Sequence, residues 1–528
     1  MMIKDKRIGY LFWGLIGFSF IFRCWAAMAV ELGNDEVYYI TYAEYPDLSH
    51  FDHPPFIGWL IQFTTFNLSY FSELLVRFGP VLLGTFNLVL IFLSGKILKD
   101  ERTGLIAAFM LFASPYGSII SGTFAMPDAP QNTFWLLGLL AFLYAFNDST
   151  EGKAKPIYLF LGFIATGLAT LSKYTGIFVG LSAGLAILTF FNNWLKIKEF
   201  WLGIVSIVLI CSPILFWNIE NHFISFAFHG ERVEIEDKGI KLLFFFRELL
   251  VEDTYNNPLN IAAIVIAAIG WRRLSPLDSK YTWFLLYAGL PLIFTFLAFS
   301  LFRQTLPHWS GPGYHALILL AASWWSIKVS DYIPKLVWAS VAVMIILVPL
   351  AIIQINYGLF PLDKEGVSSR KVGKQDFSLD MYGWRQLSQK ISPIIKQDTL
   401  LNRMPVDAPF FSYRWFPAAN IDYYVAHPLN RNLYAFGSLD KIHKYFWINF
   451  LRGLPTDGTD GYYITSSRDM HQPYELYQAC FDSIAPPDSI AIERGGKVAY
   501  YFFIYRMYNL DRKRLPGIPI GSDGAIQK

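Results

Sequence analysis

Cysteine is nearly missing from this chain. Only Cys24, Cys211 and Cys480 occur in 528 residues, with no Cys-x-x-Cys pair and no metal-ligand spacing, so neither a disulfide framework nor a cysteine metal site organises the fold. Charge is sparse too: 16% of residues are charged and the formal net charge is +3, which gives no basis for a nucleic-acid partner. No internal repeat is visible, whereas transporters usually show paired halves. What the chain has instead is apolar surface. It is 54% hydrophobic and 18% aromatic with a mean hydropathy of +0.35, above what a soluble core requires, and it reads as a polytopic α-helical membrane protein.

Apolar runs of roughly 17 to 25 residues can cross a bilayer as helices. Eleven are counted, centred near residues 19, 87, 112, 138, 164, 184, 209, 264, 291, 319 and 345. The first, residues 8 to 30, is too long for a signal-peptide core and lacks a small-residue cleavage site, so it reads as a retained signal anchor. Basic residues set the orientation. With the N-terminus and its Lys4, Lys6 and Arg7 in the cytoplasm, about fifteen of the 23 Lys and Arg before residue 356 fall in cytoplasmic segments, Lys153 and Lys155 among them, the bias that the positive-inside rule expects. An odd number of spans then places residues 356 to 528 outside. The same assignment puts Asp35, Glu36, Asp52, His53, Asp128, Lys173, Arg232, Arg303 and His308 on the external side.

The external segments differ in kind. Residues 31 to 75 form a long loop with aromatic, amphipathic stretches at Val37 to Tyr45 and Phe56 to Phe66, which predict short helices lying along the interface. The run Phe244-Phe245-Phe246 in the 218 to 258 connection predicts another. After residue 355 the apolar spans stop. Strand-like runs at Tyr462 to Thr465 and Val498 to Tyr505, with a helix near 382 to 396, predict a mixed α/β external domain over 356 to 510, close to the usual domain size. Residues 511 to 528, rich in Gly, Pro and charge, read as a flexible tail. Residues 1 to 355 form the transmembrane domain.

Acids at a membrane boundary are costly to keep and point to function. Asp35, in Gly33-Asn34-Asp35-Glu36-Val37, can act as a general base, or it can cap the helix that follows. Glu36 is either a catalytic candidate beside Asp35 or a complement to the dipole of that helix. Two prolines after His53 stiffen its turn, so it is either a loop rigidifier or a phosphate ligand. Asp128, in Pro127-Asp128-Ala129-Pro130, is a helix cap or a second functional acid. Lys173, followed by Tyr174 in a very short turn, either snorkels or reaches into a cavity. Arg303 with His308, and His229 with Arg232, form further basic sites. Together these give external carboxylates, cations and aromatic rings beside lipid, a set suited to a substrate with a phosphate head and a lipid tail.

As a set, these motifs resemble glycosyltransferase family 39. The resemblance is carried in order by Asp35-Glu36 after the first span, Phe51-Asp52-His53-Pro54-Pro55, Pro127-Asp128-Ala129-Pro130, Leu168 to Gly176 around Lys173-Tyr174, and Pro307-His308-Trp309. That family belongs to the membrane-embedded GT-C enzymes and includes protein O-mannosyltransferases and lipid A aminoarabinose transferases. It implies the GT-C fold, a polyprenyl-phosphate or dolichyl-phosphate sugar donor, and reaction on the outer side of the membrane, here the periplasmic side of a bacterial inner membrane. By the same resemblance Asp35 is the catalytic base and Asp128 a second candidate for acceptor or metal contact. Lys173, Tyr174, Arg303 and His308 match positions near the donor phosphate. Where the aminoarabinose transferases carry Glu-Lys-Pro-Pro, this chain has Asp52-His53-Pro54-Pro55, replacing a permanent cation with a titratable one. Asp422-Tyr423-Tyr424 and Tyr434-Ala435-Phe436-Gly437 look like the external domain of bacterial members.

The expectation is therefore an inverting transfer. Asp35 deprotonates a lipid, glycan or protein acceptor, and polyprenyl phosphate leaves with its charge held by residues drawn from His53, Lys173, Arg232, Arg303 and His308. The acidic external loops permit a divalent cation, although no ligand cluster of standard spacing occurs. The alternative is a transporter or flippase for a lipid-linked sugar. An anchor for a partner-binding domain would not need eleven spans.

Overall fold

The computed structural model describes residues 3–147, 156–233, 239–360, 362 and 370–517. Lys153, Lys155 and most of the expected tail lie outside the described residues. The chain divides into two units, one of Met1–Met28 with Pro46–Val348, the other of Ala29–Tyr45 with Pro349–Lys528. The division is thus not linear. The segment that carries Asp35 is grouped with the C-terminal part of the chain.

The first unit is helical. In chain order it contains α1 (Lys6–Ala29), then, after α2 (Asn34–Glu44) of the other unit, α3 (Phe56–Thr64), α4 (Glu73–Leu98), α5 (Glu101–Ala113), α6 (Asp128–Phe146), α7 (Pro156–Ser172) and α8 (Ile177–Phe190). It continues with α9 (Lys198–Glu220), α10 (Ile224–Val233), α11 (Leu242–Tyr255), α12 (Pro258–Gly270), α13 (Ser279–Ser300), α14 (Gly313–Lys328) and α15 (Lys335–Tyr357), the last running into the second unit. All eleven expected centres fall inside helices. Five of these, α1, α4, α9, α13 and α15, are long and apolar enough to cross a membrane, while α7, α12 and Tyr174–Phe190 are shorter apolar helices. The amphipathic stretches became α2, α3 and α11.

Local chemistry sets the helix starts. Ser72 Oγ accepts from Leu75 N at 3.1 Å and Asp100 Oδ1 from Thr103 N at 2.7 Å, capping α4 and α5. Pro258 opens α12 behind the Asn257 cap. Arg102 donates to Ser326 O at 2.8 Å and to Val329 O, placing a cation on the C-terminal carbonyls of α14. Helices α4 and α5 meet backbone to backbone. A Cβ on Gly95 would lie 2.7 Å from the Gly104 Cα, so only glycine permits this approach, a small-residue contact of the kind that packs helices in lipid.

The second unit is built on a six-stranded mixed sheet, β1 (Phe410–Ser412), β2 (Leu433–Ala435), β3 (Gly461–Ser466), β4 (Phe481–Ile484), β5 (Asp488–Arg494) and β6 (Lys497–Leu510). The order is β2-β1-β3-β6-β4, with β1 parallel to both β2 and β3 and the remaining pairs antiparallel. β6 pairs with β3 along one edge. Its other edge is shared by β5 and β4. Alternation along the strands separates two faces. One holds an aromatic cluster with Phe411, Tyr463, Tyr477, Phe503 and Tyr505. The other meets α16 (Trp384–Leu400), whose Leu387, Ile391 and Ile395 are buried at a four-residue spacing and whose Asp398 pairs with Arg506 of β6 at 2.6 Å. The stretch after Asp511 is not loose throughout, because Leu515 is buried in the aromatic cluster.

Candidate active site

In the first unit the sequence candidates gather around one ion pair. Lys173 follows the last turn of α7, where its N–H still closes the helix on Ala169 O at 3.0 Å. Its ammonium donates to both oxygens of Asp128, at 2.8 and 3.0 Å. Asp128 is the first residue of α6 and its side chain caps nothing, so the cap alternative gives way to the ion pair. Both partners are buried, with side-chain exposures of 7% for Lys173 and 1% for Asp128. Charges taken out of water need such pairing, and the snorkelling alternative for Lys173 fails because its ammonium turns inward.

Tyr116 adds a neutral donor. It opens a π-turn, Tyr116–Ile120, that follows Pro115, and its hydroxyl lies 3.2 Å from Asp128 Oδ1 and 3.3 Å from Asn132 Oδ1. A Cβ on Gly311 would fall 2.3 Å from the Tyr116 ring. Only glycine lets the Pro307–Ser310 turn approach this tyrosine, and that turn carries His308.

His308 and His53 complete the surroundings. Burial pushes the His308 imidazole down to about 4 against the pull of Asp128, and pushes His53 down to about 3 against Asp52 and Asp128. Both rings are therefore neutral at neutral pH. His53, the titratable candidate for the phosphate, is thus held neutral because desolvation outweighs the nearby carboxylates. Lys173 carries the charge. Beside His53, with ring centroids 6.3 Å apart, His229 Nε2 bonds Asp52 O at 2.8 Å. Its ring packs edge-on to Tyr174 at 5.0 Å, and Tyr174 bonds Ser225 at 2.9 Å.

Other candidates sit elsewhere. Arg303 donates to Glu231 O at 2.7 Å, which spends one donor of its fork on the α10 backbone. Arg232 belongs to α10, and its side chain lies outside the described residues. Two groups were missed. Tyr116 looked like core because it continues an apolar run, and the Pro115-Tyr116-Gly117 break was its only signal. Glu252 stands one helical turn after Glu248 on α11. Its carboxylate accepts from Ser310 Oγ, and burial pushes it up to about 7.

In the second unit, Asp35 and Glu36 separate in role. Gly33 occupies the cap position of α2, and its N–H donates to Glu36 Oε2 at 2.8 Å. Glu36 is 1% exposed. Glu36, a catalytic candidate with Asp35 and Asp128, supplies the carboxylate that closes the helix start, in the manner of a capping box. Asp35, one residue earlier in the first turn, is not the cap and is exposed.

Residues 52–217 match the family described as dolichyl-phosphate-mannose-protein mannosyltransferase. The fold is similar to that of ArnT from Cupriavidus metallidurans, solved bound to undecaprenyl phosphate, with a TM-score of 0.60 at 15% identity over 93% of this chain and 97% of that one. The family match covers under a third of the chain, whereas the likeness in fold runs over nearly all of it. The chain is also similar to the lipid A galacturonosyltransferase RgtD of Rhizobium johnstonii, 24% identical over 218 residues, which is 40% of this chain and 42% of RgtD. An uncharacterized protein of Aquifex aeolicus is 23% identical over 328 residues, 58% of this chain and 60% of that protein. Both matches cover less than two thirds of the relative. The family match takes in His53, Tyr116, Asp128, Lys173 and Tyr174, while Asp35 precedes it and Arg303 and His308 follow it. Among the described residues no group of three or more His, Cys, Asp or Glu is arranged to hold a metal ion.

Proposed function

We propose that this protein is an inverting glycosyltransferase that moves a sugar from a polyprenyl-phosphate donor to an acceptor on the periplasmic side of a bacterial inner membrane. The observation that carries the reading is the buried Lys173–Asp128 pair with Tyr116, His53 and His308 around it, drawn from separate connections between helices. Such a cluster suits a phosphate on a lipid tail. It offers one ammonium and several neutral donors in a setting where charge acts strongly.

In this reading Asp35 takes the proton from the acceptor and the nucleophile attacks the anomeric carbon. The bond from that carbon to the phosphate oxygen breaks, and its electron pair stays on the departing phosphate. One displacement inverts the centre. Lys173 shifts part of its pairing from Asp128 to the phosphate, and Asp128 keeps the ammonium in place between turnovers. The arriving anion favours protonation of His53 and His308, which then add charge only when substrate is bound. The eleven helices are read as spans, and the sheet domain as external.

The test is release of free polyprenyl phosphate from a labelled polyprenyl-phosphate sugar by the full-length protein in lipid nanodiscs. The enzyme releases it and modifies an acceptor, detectable as a mass shift on lipid A, a secreted protein or a polymer. Intact donor under every acceptor condition would overturn the proposal, and movement of intact donor between leaflets would favour a flippase.

A further inference from the structure

The helix that bears Asp35 is too short to hold itself. α2 has 11 residues, near or below the length at which an isolated helix persists in water, and its position depends on what grips it. Every grip described below comes from the C-terminal part of the same unit. At the near end, Tyr424 Oη accepts from Leu32 N at 2.8 Å. Glu31 reaches the first turn of α16, accepting from Trp384 N at 2.8 Å and Arg385 N at 3.2 Å. Along its length Tyr38 packs on Trp415, ring centroids 5.2 Å apart. At the far end Lys444 Nζ donates to Tyr45 O, and Arg452 Nε donates to Tyr45 Oη at 2.8 Å.

Arg452 does more than touch Tyr45. Its guanidinium lies 2.9 Å from Asp422 Oδ2 and 3.4 Å from Glu44 Oε1, and it donates to Leu433 O of β2 at 2.7 Å. One planar fork thus ties the last turn of α2 to the sheet, with two carboxylates balancing it and Tyr445 donating to Asp422 at 2.9 Å. Lysine cannot reproduce this set of bonds from a single ammonium.

We infer that the C-terminal domain is the positioning frame for Asp35, with Tyr424 fixing the entry to α2 and Arg452 its exit. The inference rests on the reading of Asp35 as the base. Neither Tyr424 nor Arg452 is assigned contact with substrate. Both act through the placement of α2, and a displacement of about 1 Å at a reacting group can cost on the order of 100-fold in rate.

The experiment uses full-length protein in nanodiscs with labelled polyprenyl-phosphate sugar, and compares Tyr424→Phe, Arg452→Lys and Asp35→Asn with the two pairwise combinations that include Asp35→Asn. Tyr424→Phe removes one hydroxyl and keeps the ring, so it serves where Arg452→Lys folds poorly. Expected for each positioning variant is a fall in kcat of about tenfold or more, a donor KM within about twofold of wild type, and no further loss when combined with Asp35→Asn. A general weakening of the fold would not confine itself to kcat or vanish in that background. Wild-type kcat in both positioning variants would overturn the inference, as would losses that multiply with that of Asp35→Asn. Full activity of Asp35→Asn alone would overturn the base assignment itself, and the single variant makes that failure distinct.

Discussion

Replacing Lys173 by Met leaves the Asp128 carboxylate buried with Tyr116 as its remaining direct donor. At the observed 2.8 Å and an effective dielectric of about 20, the lost attraction is on the order of 6 kcal/mol before desolvation is counted. Part of it only offsets the cost of burying the two charges, and removing one partner of a buried pair typically destabilises by about 3 to 5 kcal/mol. The expected outcome is a melting temperature lowered by roughly 5 to 10 °C, read by thermal unfolding in detergent. The Lys173→Met/Asp128→Asn double variant removes the stranded charge and recovers most of the stability. It does not recover donor turnover, because the ammonium for the phosphate is still missing. A double variant no more stable than Lys173→Met would refute the pairing argument, and one with wild-type turnover would refute the role of Lys173 in holding phosphate.

Asp35→Asn should fold and bind donor while losing about 10²- to 10⁴-fold in kcat, and near-normal turnover would remove it as the base. Glu36→Gln keeps an oxygen able to accept from Gly33 N–H, so it should retain most activity, whereas Glu36→Leu loses the cap at a cost of about 1 kcal/mol; equal activity of the two would contradict the capping role. His53 and His308 are held neutral in the fold at about 3 and about 4, below the unfolded value near 6.5. The unfolded chain therefore binds more protons as pH falls from about 6.5 towards 4, stability drops over that window, and His308→Gln should flatten the slope. Glu252, raised to about 7, works from the other side. Its contribution is complete below about 4.5 and is lost as pH rises through 7, so Glu252→Gln should gain stability relative to wild type at pH 8, measured by thermal unfolding.

The long apolar runs were legible from composition, and each expected centre lies in a helix, five of them long and apolar enough to cross a membrane. The central strands β3 and β6 were legible from their aromatic and β-branched runs. Strands β1 and β2 were not, since three-residue strands carry too little pattern to separate from loops. At the site, Asp128 and Lys173 each stood out by charge in an apolar setting, but nothing in the chain says that residues 45 positions apart meet. Tyr116 stayed hidden because its π-turn continues an apolar stretch, and the neutrality of His53 comes from burial that sequence does not display. The cap of α2 was misplaced by two residues, the usual uncertainty of helix ends.

The hydrogen bond from Leu32 to Tyr424 joins residues 392 positions apart. A ribosome adding about 5 to 20 residues per second needs roughly 20 to 80 s to travel that distance. Through that interval the nascent chain already has its first helices and its acid at position 35, yet lacks the partners that hold them in register. A product truncated before Arg452 would insert in the membrane without a seated α2. Under the proposed function, synthesis through Arg452 thus becomes a condition for placing the base at position 35.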